Sequence, residues 1–473
     1  MPDPPTTLAA RDLAVFWHPC SQMRDYEEFP PLEIVGAEGT RLRLSDGREL
    51  LDAISSWWCK SLGHGHPGVR ARIAAQLASF EHVIAANTTH AALVELCERL
   101  LAMANATATA TATATVAGPS AETARRTAGR LAKVFLAENG STAVEIALKM
   151  ALQAQAQRGQ GRRTRFAALE NGYHGETIGA LSVGDLGLYA EPYRALMFPV
   201  EKLGPVPYRS GPGDPRWMDA GPEWERMRER LELMAESLAA IVYEPVLQAA
   251  GGMRLYSPDL LRRLGAFARA RGIFLIADEI AAGMARLGPM LAGTLAAGHA
   301  PDFVLLGKGL TAGFLPLAAV LTTDEVYAAF YEPSLARGFL HSNTHTGNAL
   351  TVAAALGALE AYATDDIVAR VGVAGPHLFD GVAALARTRP HLTRVRGLGM
   401  VAALDLVAPD GAPLPAEART GYRVYREAVR RGALLRPLGD SMYLFPPLNS
   451  SFADLDAMVA ILADSIDAVM GTP

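Results

Sequence analysis

The sequence predicts an α/β protein built on a mostly parallel sheet, and three observations carry that prediction. Ile273-Phe-Leu-Ile-Ala-Asp278-Glu279 is a short run of β-formers closed by ionisable residues at its carboxyl end. Phe303-Val-Leu-Leu-Gly-Lys308-Gly309 repeats the pattern, and the gap between the two leaves room for roughly one crossover helix. From Lys133 onward, strand-like runs alternate with segments of helical period, the rhythm of βαβ units.

The first 60 residues are mixed in character. Arg41 to Asp52 reads as a hairpin whose strands meet at the Asp46-Gly47 turn. Ala91 to Met103 carries a helical apolar period through Leu93, Leu96, Cys97, Leu100 and Leu101. Ala104 to Gly118 is nearly all alternating Ala and Thr, and a polar stretch follows to Gly129. Low complexity and the flanking Gly118-Pro119 predict a mobile surface insertion over 104–129, without chemistry. Val134 to Ala137 is the next strand, and Ser141 to Gln157 a long helix with Val144, Ala147, Leu148 and Ala151 on one face. Phe166 to Leu169 and Ala239 to Tyr243 are further strands, separated by an irregular Pro- and Gly-rich loop at 204–222. Leu260 to Ala270 is a helix, and an alanine-rich helix opens after Thr346. His391 to Val407 and Ala433 to Phe445 read as strands of a second, smaller α+β domain. The expected organisation is a large α/β domain at 61–345 and a small domain made of 1–60 and 346–473.

With 473 residues, half of them hydrophobic, the chain can bury a large core. A formal net charge of −5, with acids and alanines breaking up the Arg-rich spots, argues against nucleic-acid binding. Cys20, Cys59 and Cys97 lie far apart with no metal-ligand spacing, so neither a disulfide framework nor a metal centre is expected. The N-terminus lacks the apolar core of a signal peptide, and the apolar run Phe314 to Leu321 is short and interrupted by Pro316. The expectation is a soluble, cytoplasmic protein without a membrane partner.

In open α/β sheets, ligands bind in the crevice outside the carboxyl ends of the strands. A lysine delivered there can form a Schiff base, and an aspartate can hold a pyridinium nitrogen protonated. Lys308 and Asp278 together are what pyridoxal phosphate demands of a protein. Either alone would read more simply as a surface lysine or a helix-capping aspartate. Asn139-Gly140-Ser141-Thr142 joins a strand to a helix, where backbone N–H groups and hydroxyls would face an anion; the plain alternative is a helix cap by Ser141. Asn171-Gly172-Tyr173-His174-Gly175 follows the next strand. Its Tyr173 ring could stack on a pyridine or line a substrate pocket, or belong to the core. For His174 a structural and a catalytic role stand equal. Glu244-Pro245-Val-Leu-Gln248 ends another strand, with both polar side chains candidates to approach the cofactor ring or simply to shape a turn.

The order Gly-Ser helix, Tyr-His-Gly, Glu-Pro-x-x-Gln, Asp-Glu-Ile and Gly-Lys resembles the class III, pyridoxal-phosphate-dependent aminotransferases of fold type I. Phe16-Trp17-His18-Pro19, Ser55-Ser56-Trp57-Trp58, Glu145 to Leu152 and Arg436-Pro437 are similar to one branch of that class. That branch aminates 8-amino-7-oxononanoate with S-adenosylmethionine as donor, in biotin biosynthesis. The resemblance runs from about Phe16 to Pro447, apart from the Ala/Thr insertion and the 204–222 loop. It implies a seven-stranded, mostly parallel sheet and a homodimer with shared active sites. It also implies roles for individual residues. Lys308 resembles the Schiff-base lysine, Asp278 the pyridine-nitrogen partner, and Gly140 and Ser141 the phosphate-binding pair. Tyr173 and Trp57 match substrate-pocket aromatics, and Arg436 the carboxylate-binding arginine. Within His341-Ser342-Asn343-Thr344, Thr344 matches the residue that reaches the phosphate of the partner subunit, with Ser342 and Asn343 beside it.

The chain departs from the pattern in three places. Cys20 stands where some members carry a substrate-contacting tyrosine, Ser342-Asn343 replaces a Gly-Pro pair, and the loop after Ile280 keeps only Gly283, Arg286 and Gly288 of the usual wording. Two further readings are weighed: a class III enzyme acting on ω-amino acids or diamines with a keto-acid acceptor, and a fold-sharing protein without catalysis. Retention of both Lys308 and Asp278 argues against the latter.

Overall fold

A computed structural model describes residues 7–113 and 129–471. Its centre is a seven-stranded sheet whose strands, in chain order, are Leu131–Ala137 (β1), Arg165–Leu169 (β2), Glu201–Leu203 (β3), Leu238–Tyr243 (β4), Phe274–Asp278 (β5), Phe303–Leu306 (β6) and Ala318–Thr323 (β7). The spatial order is β1-β7-β6-β5-β4-β2-β3. β7 pairs antiparallel with both neighbours, while the pairs among β2 to β6 are all parallel. Six strands therefore end at one edge. β4, β5, β6 and the antiparallel β7 are buried at every position, because both faces of the sheet are covered.

The period of two divides each strand between two cores. Val304 and Leu306 pack in the core shared with Leu96, Leu100 and Val352, whereas Phe303 and Leu305 pack against Val144 and Ala147 of the helix Gly140–Gln157. Outside this sheet, Arg41–Leu44 and Glu49–Asp52 form the expected hairpin, with Arg41 opposite Leu51. Ala433–Leu434 lies parallel beside Glu49–Asp52, which brings the segment before Arg436 next to the N-terminal strands. Leu392–Gly397, Ala402–Leu406 and Ser441–Leu444 make a separate antiparallel sheet.

Three expectations change. β5 and β6 are adjacent and parallel, with Ile276 opposite Phe303, but no α-helix crosses between them. That connection is instead a packed loop with left-handed backbone at Met284, Ala285 and Gly288. It is held from inside by the Glu279 carboxylate, which accepts from Ala292 N at 2.9 Å and Gly293 N at 2.7 Å. The helix from Ala91 does not stop at Met103 but runs to Thr113; residues 114–128 of the expected insertion lie outside the described residues. Extending an existing helix avoids the cost of a new nucleus, and the alternate alanines favour it. Asn105 ties that extension to β1, exchanging hydrogen bonds with both backbone groups of Leu131. The 204–222 stretch contains the two-residue strand Tyr208–Arg209, paired with Arg254–Tyr256. The run containing Pro316 leads into β7, the antiparallel strand. Among the described residues, no helix is long and apolar enough to cross a membrane.

Candidate active site

A cleft of about 360 Å³ opens at the carboxyl edge of the sheet, lined among others by Asn139, Tyr173, Glu244, Asp278 and Lys308. These lie at or just past the ends of β1, β2, β4, β5 and β6, so shared strand direction gathers residues up to 169 positions apart. Burial lowers the proton affinity of the Lys308 amine below the ordinary lysine range, although Asp278 and Glu244 pull the other way. The amine sits 5.3 Å from the centre of the Trp58 ring. Asp278 is 4% exposed, and its Oδ2 lies 2.8 Å from Nδ1 of His174, which is equally buried. Oδ1 accepts from Ile280 N at 3.1 Å. Burial pushes the Glu244 carboxyl up to about 7, against the hydrogen bonds it accepts from Tyr173 N and Ala249 N. His174 lines the cleft while its Nδ1 orients Asp278, and its Nε2 is buried without a hydrogen-bond partner among the described residues.

The helix Gly140–Gln157 points its N-terminus into the same cleft. Its cap is Asn139, whose Oδ1 accepts from Thr142 N at 2.9 Å, so Ser141 is not the cap. Ser141 Oγ instead accepts from Thr177 N at 3.0 Å and faces Thr177 Oγ1 at 2.8 Å. Side chains are excluded around this turn. A Cβ on Gly140 would stand 2.9 Å from Ile280, and one on Gly175, at φ +122, would collide with Ser141. Bare backbone at a helix N-terminus, a serine hydroxyl, an aspartate and a low-affinity lysine around one cleft match the phosphate, ring nitrogen and aldehyde of pyridoxal phosphate.

The opposite wall comes from outside the sheet. Ser55, Ser56, Trp57 and Trp58 all have positive φ, between 42° and 71°. Four consecutive non-glycine residues in the left-handed region cost roughly 1–2 kcal/mol each, so other contacts must hold the turn. Those contacts are visible. Asp52 Oδ1 accepts from Ser56 N at 2.9 Å, and its Oδ2 from Ser56 Oγ at 2.7 Å. Ser55 Oγ donates to Phe445 O, and Trp58 Nε1 to Tyr443 OH. Trp57 is left 42% exposed, with the Arg436 guanidinium 4.3 Å above its ring. Arg436 Nη2 also donates to the Cys20 carbonyl at 2.8 Å, and no carboxylate pairs with it among the described residues. At the mouth, Glu176 accepts from Tyr173 OH at 2.9 Å, with Cys20 Sγ 3.8 Å away. Burial raises the Tyr173 phenol well above its usual range, and Glu176 adds to the effect.

The cleft thus brings together Lys308, Asp278, Gly140, Ser141, Tyr173, Trp57 and Cys20, with Arg436 stacked on its wall. Gln248 is not there. It is buried among Tyr208 OH and the Glu170 carbonyl, because the chain turns sharply at Pro245 and Val246, the latter at φ 65. Ser342, Asn343 and Thr344 are also absent from the cleft lining: Asn343 N donates to Thr346 Oγ1, and the Thr344 carbonyl faces His82 Nε2. Glu176 and Asp52 carried no readable signal in the sequence, although Glu176 lies three residues after Tyr173.

The fold and this cleft define a pyridoxal-phosphate aminotransferase, and the chain belongs to the class III aminotransferases, whose family model matches residues 22–466. It is 38% identical over 453 residues to the adenosylmethionine-8-amino-7-oxononanoate aminotransferase of Synechococcus elongatus, covering 96% of this chain and 98% of that one. The crystal structure of the enzyme of the same name from Methanocaldococcus jannaschii superposes with a TM-score of 0.85 at 30% identity, over 97% of this chain and 98% of that one. An amine transaminase from an uncultivated Pseudomonas species, in its pyridoxal-phosphate-bound form, also gives 0.85, at 32% identity over 96% of this chain and 99% of that one. The protein is an aminotransferase whose cofactor is pyridoxal phosphate.

Proposed function

We propose that this enzyme moves an amino group from S-adenosylmethionine to the ketone of 8-amino-7-oxononanoate, giving 7,8-diaminononanoate in biotin biosynthesis. The observation that carries this reading is the wall running from Lys308 over Trp58 and Trp57 to Arg436. It offers a reactive amine at one end, a guanidinium without a carboxylate partner among the described residues at the other, and indole surface between. An aliphatic keto acid ending in a carboxylate suits that wall, and S-adenosylmethionine brings a carboxylate to the same anchor. The printed names of relatives matched over nearly the whole chain support it.

Bound pyridoxal phosphate supplies an aldehyde that takes up the amino group and a ring that withdraws electrons from the substrate carbon. In our reading Lys308 would hold that group through its amine. In each half Lys308 Nζ would be the base and acid that moves the proton, taking it from the donor's α-carbon in the first half and delivering one to the acceptor's former ketone carbon in the second. Its lowered proton affinity, caused by burial, suits it to act as a base. Asp278, fixed by His174, would hold the ring nitrogen's proton in place. Gly140 and Ser141 would hold the phosphate, and Arg436 would orient both carboxylates in turn.

Ser342, Asn343 and Thr344 do not line their own cleft, and Leu340, Leu335 and Tyr331 nearby are all more than two-thirds exposed. We read this face as the contact with a second copy, whose cleft would receive Thr344. Residues 1–60 and 346–473 we take as one small domain, supported by the pairing of Glu49–Asp52 with Ala433–Leu434. Three free thiols fit a reducing cytoplasm.

The test is to offer the purified holoenzyme S-adenosylmethionine, lysine or a simple amine in turn and follow the cofactor's visible band. 8-Amino-7-oxononanoate is then added and the diamine measured by mass spectrometry. Bleaching by S-adenosylmethionine with diamine formed upholds the reading. Bleaching by simple amines alone, restored only by pyruvate, replaces it with the amine transaminase activity that the Pseudomonas neighbour's name describes.

A further inference from the structure

We infer that the left-handed Ser55–Trp58 turn, pinned by Asp52, is a chain-length gauge, and that Asp52 is its positioning residue. The inference rests on the proposed keto-acid substrate. The turn places one indole against each end of the substrate path. Trp58 lies 5.3 Å from the Lys308 amine, and Trp57 stacks at 4.3 Å under the Arg436 guanidinium. The distance between reacting carbon and terminal carboxylate is therefore referred to a single four-residue turn. A turn of this hand is not one that serine and tryptophan adopt unaided.

Asp52 is what the turn leans on. It is fully buried, and both of its carboxylate oxygens are engaged. Oδ1 accepts from Ser56 N at 2.9 Å; Oδ2 accepts from Ser56 Oγ at 2.7 Å and meets Nε2 of His64 at 2.8 Å. Its own backbone N–H donates to Thr40 O at 2.7 Å, and Asp52 ends the strand that pairs with Ala433–Leu434, two residues before Arg436. Asp52 thus couples the turn, through its carboxylate, to the strand pair from which Arg436 emerges, through its backbone. Asp52 does not line the cleft and touches neither Lys308 nor Arg436, so it acts only through the indoles.

The experiment compares wild type with Asp52→Asn as holoenzymes, using 8-amino-7-oxononanoate and its homologues one methylene shorter and one longer. Wild type should favour the nine-carbon acid by about tenfold in kcat/KM, the scale of one methylene in a fitted site. Asp52→Asn should flatten that preference to about twofold, with KM raised and kcat for the natural length kept within about threefold, and should change the near-ultraviolet circular dichroism of the indoles. Ser56→Ala, which removes only the hydroxyl bond, should shift the profile the same way by less, and serves if the asparagine variant does not fold or retain cofactor. A length profile unchanged in these variants overturns the gauge, as does an equal loss of kcat at every length. A wild type that aminates none of the three acids refutes the substrate reading and the gauge with it, whereas a sharp wild-type optimum preserved in both variants refutes the gauge alone.

Discussion

The two walls of the cleft are built by opposite means. The sheet side takes its geometry from regular strands: Asp278 and Lys308 stand where β5 and β6 end, and everything behind them is buried. The other side takes its geometry from irregular backbone, left-handed at Cys20 and from Ser55 to Trp58, and from pieces of chain more than 400 residues apart, Cys20 and Arg436. In the proposed reaction, the chemistry falls to the dry sheet wall, where burial can shift a lysine, and recognition to the strained wall, where side chains can be exchanged without disturbing the sheet. Substitutions should therefore divide, those on the first wall lowering kcat and those on the second raising KM.

The largest expected effect tests the first half of that division. Lys308→Ala should reduce turnover by at least about 10³-fold while the protein still binds pyridoxal phosphate non-covalently, as seen by a shifted visible band. Near-native turnover would remove Lys308 from the chemistry. Asp278→Asn should follow, with a loss of about 10²-fold in kcat and little change in KM, because it keeps the shape facing the ring but not the charge. A rise in KM alone would place Asp278 on the recognition side.

On the other wall, Arg436→Ala should raise KM for both substrates by about 2 kcal/mol, the range of a hydrogen bond to a charged group, and leave kcat nearly intact. Arg436→Lys should recover only part of this, since an ammonium cannot reproduce the planar fork stacked on Trp57. If only one substrate weakens, the two carboxylates bind at different places.

These two walls were not equally legible. Asp278 and Lys308 could be read because a buried parallel strand is a local apolar run, and its last residue is marked by the change to an ionisable one. β7 was missed because its apolar run holds Pro316 and because antiparallel insertion beside β6 is a choice of tertiary packing. β3, at three residues, is too short for any period to show. The helix expected between β5 and β6 was a default of parallel topology that Gly283, Gly288 and Pro289 do not support. On the recognition wall, the motif Ser55-Ser56-Trp57-Trp58 was readable but its handedness was not. Nothing in those residue types asks for positive φ; Asp52 and Phe445 impose it from outside. Gln248 matched a motif and still turned away, since Val246 redirects the chain after Pro245.

Burial on the rigid wall also has a consequence for stability. The Glu279 carboxyl, buried beside Asp278, is pushed up to about 7 from an unfolded value near 4.5, chiefly by burial. A raised carboxyl stabilises the fold fully below the unfolded value, and that contribution is lost as pH rises through about 7. Between pH 5 and 8 the loss is roughly 2 kcal/mol for a fully buried group. Glu279→Gln, which cannot ionise, should therefore lose less stability than wild type as pH rises over that interval, measured by urea unfolding at several pH values. Parallel curves for the two proteins would mean that Ala292 and Gly293 hold the carboxylate ionised throughout.

The smallest effect belongs to Cys20, the residue at the mouth of the recognition wall. Its thiol lies 3.8 Å from Glu176, a weak contact for a weak donor. What Arg436 uses is the Cys20 backbone carbonyl, at 2.8 Å, and any side chain leaves that in place. Burial and Glu176 both raise the thiol above its usual range, so no thiolate is available to pair with Arg436 near neutral pH. Cys20→Ser and Cys20→Ala should each change KM for either substrate by less than about twofold, within the roughly 0.5 kcal/mol typical of substitutions that break no buried contact. Cys20→Pro is the informative contrast: a ring that fixes φ near −65° cannot adopt the observed φ of 48°, so the carbonyl should move and KM should rise towards the Arg436→Ala value. A large effect of Cys20→Ala, or none of Cys20→Pro, would show that the side chain and not the backbone carries recognition at this position.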